Sequence, residues 1–248
     1  MKIALAQLNP TIGDFDGNLR LLNDALTQAE AAGAELMVTS ELVLSGYPPR
    51  DLLERGAFLA GAGRALQSFA QRVSKTAVIV GFPEVLPESA TGRRIANSAA
   101  VVHEGAIKNI HRKSLLPTYD VFDEWRYFEP ATTVTTTTIA GRAVGVSICE
   151  DIWNNADFWP HRLYRVDPIE QLVAAGAEIL INVSASPYSI EKRHLRLRML
   201  RETARRWQRP LIFVNQIGGH DDLVFDGASL AIDAQGEVLA RGREHEPD

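Results

Sequence analysis

The chain has 248 residues, 46% of them hydrophobic and 23% charged, a balance that fills one large interior and excludes a disordered chain. A formal net charge of −5 offers no basic face for nucleic acid, and the sequence holds no run of 18 uninterrupted apolar residues that would span a bilayer. The single cysteine, Cys149, cannot close an intramolecular disulfide, and "MKIALAQLNP" has too short an apolar run, broken by Gln7, for a secretory signal; the expected location is cytoplasmic.

The elements follow one another as a helix–strand alternation. "KIALAQL" suits a short buried strand. "DGNLRLLNDALTQAEAAG" then places Leu19, Leu22, Leu26 and Ala29 at helical spacing, with Asp16 as the expected cap and Gly33 as the stop. "AELMVTSEL" reads as a core strand. The middle is β-rich: "AVIVGF", "RIANSAAVVHEG", "AIKNIHR" and "TTVTTTTIAGRAVGVSIC", whose threonine cluster predicts an exposed edge strand. "LVAAGAEILINVSAS" then repeats the helix, glycine stop and buried strand, and "AAGAEILI" echoes "AAGAELMV", which suggests two similar halves. "LRLRMLRETARRWQRPLIFVNQIGG" is a third copy in outline. "ASLAIDAQGEVLARG" closes with a hairpin turn at "DAQGE". This order predicts an α/β fold of layered sheets covered by helices, one domain over residues 1–248.

Cys149 ends an apolar strand and precedes "EDIW", where a chain turn can aim a side chain into a pocket. Two readings stand open: a nucleophile, or a small buried hydrophobe. A nucleophilic thiol needs a base or cation nearby, because a free thiol is only a few per cent ionised at neutral pH. His103, His111, His161 and His220 lie in polar surroundings and read as solvated. Glu41 and Lys113 each end a strand and compete for the partner's place; taken singly, each reads better as a surface charge, Lys113 as a solvated member of the basic cluster "HRK".

"ELVLSGYPPRDLL", "HRKSLLPTYDVFDEWRYFEP", "SICEDIW", "NVSASPY" and "FVNQIGGHDDLVFDGAS" follow in order over nearly the whole chain. Together they resemble the carbon–nitrogen hydrolase (nitrilase-like) superfamily and, more narrowly, the glutaminase portion of glutamine-dependent NAD synthetases. The resemblance implies a four-layer α-β-β-α sandwich that associates through its helices into homo-oligomers. It implies Cys149 as nucleophile, Glu41 as general base, Lys113 as the cation holding the oxyanion with the Glu150 backbone amide, and Glu124 as the second glutamate that orients the lysine. It places Tyr119, Ser186 and Lys192 around L-glutamine, with the Glu150 carboxylate facing either the substrate's amino group or water. The family's full enzyme continues into a synthetase domain that uses ATP and magnesium. No matching pyrophosphate loop occurs here, so this domain is expected to need neither a cofactor nor a metal, and the polar ending "ARGREHEPD" reads as a domain boundary in a longer protein whose synthetase domain is the partner. The alternatives are a stand-alone amidase acting on another ω-amide or carbamoyl compound, and a non-catalytic assembly domain.

Overall fold

A computed structural model describes residues 1–87 and 92–248. In chain order the elements are β1 (Ile3–Leu5), α1 (Phe15–Ala31), β2 (Leu36–Val38), α2 (Gly56–Arg72), β3 (Ala77–Val85), β4 (Ile95–His103), β5 (Ala106–Arg112), β6 (Thr136–Ile139), β7 (Arg142–Ile148), α3 (Pro168–Ala174), β8 (Ile179–Ser184), α4 (Lys192–Trp207), β9 (Leu211–Asn215), β10 (Ile217–His220), β11 (Leu223–Asp226), β12 (Leu230–Ile232) and β13 (Val238–Arg241).

The predicted helix–stop–strand unit has one physical cause in all three copies. After α1, the Ala34 amide donates to Ala29 O at 2.9 Å, and after α3 the Ala177 amide donates to Leu172 O at 3.0 Å. This six-residue closure needs a left-handed residue, which Gly33 (φ +70°) and Gly176 (φ +90°) supply without strain. After α4 the same closure runs from Arg209 to Ala204 at 3.2 Å, but Gln208 takes the left-handed position at φ +50°. Its side chain offsets part of that cost by donating to Arg205 O at 2.7 Å. The α1 cap is Asp14 rather than the expected Asp16: Asp14 Oδ1 accepts from Gly17 N at 2.8 Å, and Asp16 falls inside the first turn.

Each closure feeds a parallel strand. β1, β2 and β3 pair in parallel, β4 and β5 return antiparallel, and the five form one sheet in the order β1-β2-β3-β4-β5. The second sheet, β13-β12-β9-β8-β7-β6, likewise has β7, β8 and β9 parallel at its centre. The threonine-rich β6 is its edge strand, as predicted.

Alternation sorts the side chains into layers. Leu36, Val38, Ile79 and Val101 from the first sheet meet Val146, Ile148, Ile181 and Val214 from the second. The opposite faces carry Met37, Val78 and Val102 against α1 and α2, and Leu180, Leu211 and Phe213 against α3 and α4. These strands are apolar on both faces because both faces are covered. The result is the helix–sheet–sheet–helix sandwich the resemblance implies. α2, whose Phe58, Leu66 and Phe69 are buried, is an element that the sequence reading passed over.

His111 corrects an expectation. It is buried in β5, with Nε2 at 3.0 Å from Thr137 Oγ1 of β6, and burial pulls it down to about 4, so it stays neutral where the two sheets join. Among the described residues, no helix is long and apolar enough to cross a membrane.

Candidate active site

The parallel strands point their carboxyl ends the same way, so residues just past β2 and β7 emerge at one end of the sandwich. Glu41 lies three residues beyond β2. The chain there crosses β3 at Gly81, so closely that a Cβ on Gly81 would stand 2.4 Å from Leu42 N and 2.6 Å from Ser40 O. The crossing carries Glu41 between the sheets: its amide donates to Ser184 O of β8 at 3.4 Å, and its Oε2 accepts from Ala185 N at 2.9 Å.

Lys113 directly follows β5, with its amide donating to Asn97 O at 2.9 Å. Its side chain is 0% exposed, and Nζ donates to Glu41 Oε1 at 2.7 Å and to Glu124 Oε1 at 2.8 Å. Asn97 Nδ2 also donates to Glu41 Oε1 at 2.7 Å, and Tyr47 Oη to Glu124 Oε1 at 2.8 Å. A buried charge persists only when paired and hydrogen-bonded, and each of the three charges meets that condition. Burial pulls Lys113 down, but Glu124 and Glu41 outweigh it and hold the ammonium well above its ordinary range. Burial, with Glu41 adding and Lys113 opposing, pushes Glu124 up to about 7.

Cys149 directly follows β7 at φ +44°, a left-handed conformation that is strained for a side chain of this kind and is stored where a turn must aim one residue. Burial and the negative charge of Glu41 push its thiol well above the ordinary cysteine range, against the pull of Lys113, so the resting group is a thiol. Asp151, two residues on, accepts from three backbone amides: Ser114 at 2.9 Å and Leu115 at 2.8 Å through Oδ1, and Ile148 at 3.0 Å through Oδ2. Burial pushes it up to about 6.

A cavity of about 380 Å³ opens over the thiol, lined by Tyr119, Cys149, Glu150, Trp153, Ser186 and Lys192. Tyr119 Oη donates to Glu150, at 2.9 Å from Oε1 and 2.8 Å from Oε2, and Tyr164 Oη reaches Oε1 at 3.2 Å. Burial raises Glu150, and both tyrosines oppose that rise. Lys192 Nζ lies 5.3 Å from the Trp153 ring centroid and 5.7 Å from that of Phe122, and burial lowers it. Among the described residues, Ser186 Oγ is buried with no partner, while the Ser186 backbone is held by Asn215 at 2.8 Å and 3.2 Å. Among the described residues, no group of three or more His, Cys, Asp or Glu is placed to hold a metal ion.

The structure thus brings Glu41, Lys113 and Glu124 into one buried cluster whose charges act on the Cys149 thiol, and Tyr119, Glu150, Ser186 and Lys192 into the cavity above it. Tyr47, Asn97, Asp151 and Tyr164 complete the arrangement and were not singled out from sequence. Asn97 had a signal, a polar side chain inside the apolar strand "IANSAAVV", since buried polar groups imply partners. Tyr164 lies in an irregular loop with no periodicity to mark it.

The carbon–nitrogen hydrolase family model matches residues 2–248. A glutamine-dependent NAD(+) synthetase of Synechocystis sp. is 44% identical over 242 residues, covering 96% of this chain and 43% of that protein. One of Thermotoga maritima is 41% identical over 251 residues, covering 100% of this chain and 41% of that protein. The structure of the glutamine-dependent NAD+ synthetase of Acinetobacter baumannii superposes with a TM-score of 0.88 at 32% identity, over 99% of this chain and 44% of that one. The chain spans less than half the length of these relatives. With its sandwich and its cysteine at a strand end, it belongs to the carbon–nitrogen hydrolase family.

Proposed function

We propose that this chain is the glutamine amidase unit of a glutamine-dependent NAD synthetase. The observation that carries the reading is the cavity over Cys149: a carboxylate, Glu150, on one wall and an ammonium, Lys192, on another suit the α-amino and α-carboxylate groups of a free amino acid. A neutral amide would leave both charges unmatched. Tyr119 orients Glu150, and the unpartnered Ser186 Oγ offers a hydrogen bond to the bound amino acid.

Glu41 takes the thiol proton as Cys149 Sγ attacks the side-chain amide carbon. Lys113 and the Glu150 amide, an N–H that the first turn of a helical segment leaves without an internal partner, meet the oxyanion. Glu41 then gives its proton to the leaving nitrogen, the C–N bond breaks, and ammonia departs, leaving a glutamyl thioester. Water enters, Glu41 accepts its proton, and collapse of the second tetrahedral species releases glutamate while the proton returns to sulfur. Glu124, held by Tyr47, keeps Lys113 aimed. The ammonia serves amidation of nicotinic acid adenine dinucleotide in a synthetase portion, where ATP and magnesium act.

The test is ammonia release from L-glutamine with mass spectrometry of the quenched protein. A glutamyl adduct should appear on Cys149, and Cys149→Ala should lose both adduct and ammonia. Ammonia release that survives Cys149→Ala, or a carbamoyl or other ω-amide compound preferred over glutamine in kcat/KM, overturns the reading.

A further inference from the structure

The nucleophile and the oxyanion cation come from different sheets, and the chemistry requires a fixed spacing between them. Cys149 follows β7 of the second sheet, and Lys113 follows β5 of the first. The two sheets meet mainly through apolar contacts, which tolerate sliding better than hydrogen bonds do, with polar links at Asn109 and His111 to Thr137 and at Glu41 to Ser184 and Ala185. Asp151 supplies a polar tie between them. One carboxylate oxygen accepts the amides of Ser114 and Leu115, the two residues directly after Lys113, and the other accepts the amide of Ile148, the residue directly before Cys149.

Both ends of the strained nucleophile turn are held in this way. Ile148 precedes Cys149 and Asp151 follows it by two, so the Oδ2 bond closes a loop around the residue at φ +44°. The Oδ1 bonds carry that constraint across to the lysine. The group is 2% exposed and is not among the residues that line the cavity, so it has no route to substrate. Only a group with two acceptor oxygens and no hydrogen can serve all three donors at once.

We propose that Asp151 is a positioning residue that locks the spacing of the Cys149 thiol and the Lys113 ammonium, and that its removal slows the chemistry without weakening substrate binding. This role rests on the amidase reading for its kinetic consequence, but the spacing itself is testable without any amide substrate.

The variant is Asp151→Asn, which preserves shape but turns one oxygen into an NH₂ that faces a backbone N–H in either orientation. The comparison variant is Asp167→Asn, because Asp167 is also buried and also caps backbone amides, accepting from Ile169 N at 3.0 Å and Glu170 N at 3.3 Å, yet makes no contact with the site. Two readouts are taken on each folded variant: the rate constant for alkylation of Cys149 by iodoacetamide, and glutamine kinetics normalised to the Cys149 sites that alkylate. Partners that orient metal ligands without touching the metal cost about 10–100-fold when removed, and a residue that orients a nucleophile through the backbone is expected to act on the same scale. Asp151→Asn should lower the alkylation rate and kcat per site by at least about tenfold with KM within about threefold, while Asp167→Asn leaves both within about twofold.

Equal alkylation rates in Asp151→Asn and the native protein overturn the proposal, as does a KM increase with kcat unchanged. Failure of the native protein to hydrolyse glutamine would sink the amidase reading alone, since the alkylation comparison would still stand. If Asp151→Asn does not fold, amide hydrogen exchange on the native protein decides: Ser114, Leu115 and Ile148 should exchange as one slow group, and fast exchange of any of them overturns the proposal.

Discussion

Replacing Lys113 by Met tests whether the buried cluster is a balanced charge system. Met approximates the stem of lysine, so the packing change is small, but Nζ and its bonds to Glu41 at 2.7 Å and Glu124 at 2.8 Å are gone. Glu41 keeps Asn97 and Ala185, and among the described residues the Glu124 carboxylate keeps only Tyr47. Two carboxylates then share a buried site with no cation between them, and removing one member of a buried pair costs about 3–5 kcal/mol. For a chain of this length that is about 6–20 °C in Tm. The loss must depend on pH. Glu124 stands at about 7 in the native protein, above its ordinary value, so the folded state binds more protons than the unfolded one and stability falls as pH rises through that window. Lys113 opposes the rise, so its removal raises Glu124 further and extends the fall to higher pH. The deficit of Lys113→Met should therefore widen by about 1 kcal/mol or more between pH 6 and pH 8. Urea unfolding at both pH values measures it, and adding Glu124→Gln should recover part of the loss at pH 8. A deficit below about 1 kcal/mol at pH 8, or one that does not change with pH, refutes the reasoning.

Two further outcomes follow from the geometry. Gly81→Ala puts a methyl 2.4 Å from Leu42 N and 2.6 Å from Ser40 O, backbone atoms that cannot rotate away, so it should cost about 1–3 kcal/mol in urea unfolding and lower kcat by displacing Glu41; native kcat in a folded Gly81→Ala protein would show that the crossing does not position the base. Glu150→Gln keeps a group that both tyrosines can bond but removes the charge, so KM for glutamine should rise about tenfold or more with a smaller change in kcat. A KM within about twofold of native in steady-state assays would show that this carboxylate does not hold the substrate's amino group.

The layers were legible because the strands that build them are short apolar runs bounded by glycine stops, and the three copies of that unit differ mainly in what occupies the left-handed position. "AAGAELMV" and "AAGAEILI" share a glycine there, whereas the third copy uses Gln208 and so shows no glycine to mark its end. α2 was harder to see. It is rich in glycine and alanine, and its Gly61 packs against Phe15 so closely that a Cβ would stand 2.6 Å from the ring, a tertiary reason for a residue that weakens a helix locally. His111 shows the opposite failure: polar neighbours suggested solvent, but the edge strand β5 turns it toward Thr137 on β6 of the other sheet, and a contact between two sheets is invisible to local composition. Within the site, Glu41, Lys113 and Cys149 each had an ordinary reading alone; only their order along family-like blocks pointed to one place. Tyr47, Asn97 and Asp151 act through bonds to residues far away in the chain, at separations that no local pattern encodes.

On the proposed mechanism, the charges around Cys149 account for the need of a base. Its sequence neighbours, Glu150 and Asp151, are carboxylates, and the nearest buried cluster adds Glu41 and Glu124, so the thiol faces more negative than positive charge and burial raises it further. A preformed thiolate paired with a cation is therefore not the resting state. Lys113 at rest serves Glu41 and Glu124 rather than sulfur. Moving a proton from Cys149 to Glu41 neutralises one of those carboxylates as it creates the thiolate, so the net charge of the cluster is unchanged. In the proposed mechanism the step also removes one of the two carboxylates that compete for Lys113, freeing part of the ammonium's field just as the substrate oxygen becomes an oxyanion. In this reading, holding the proton on sulfur until an amide arrives is a consequence of the same four side chains that later drive its attack.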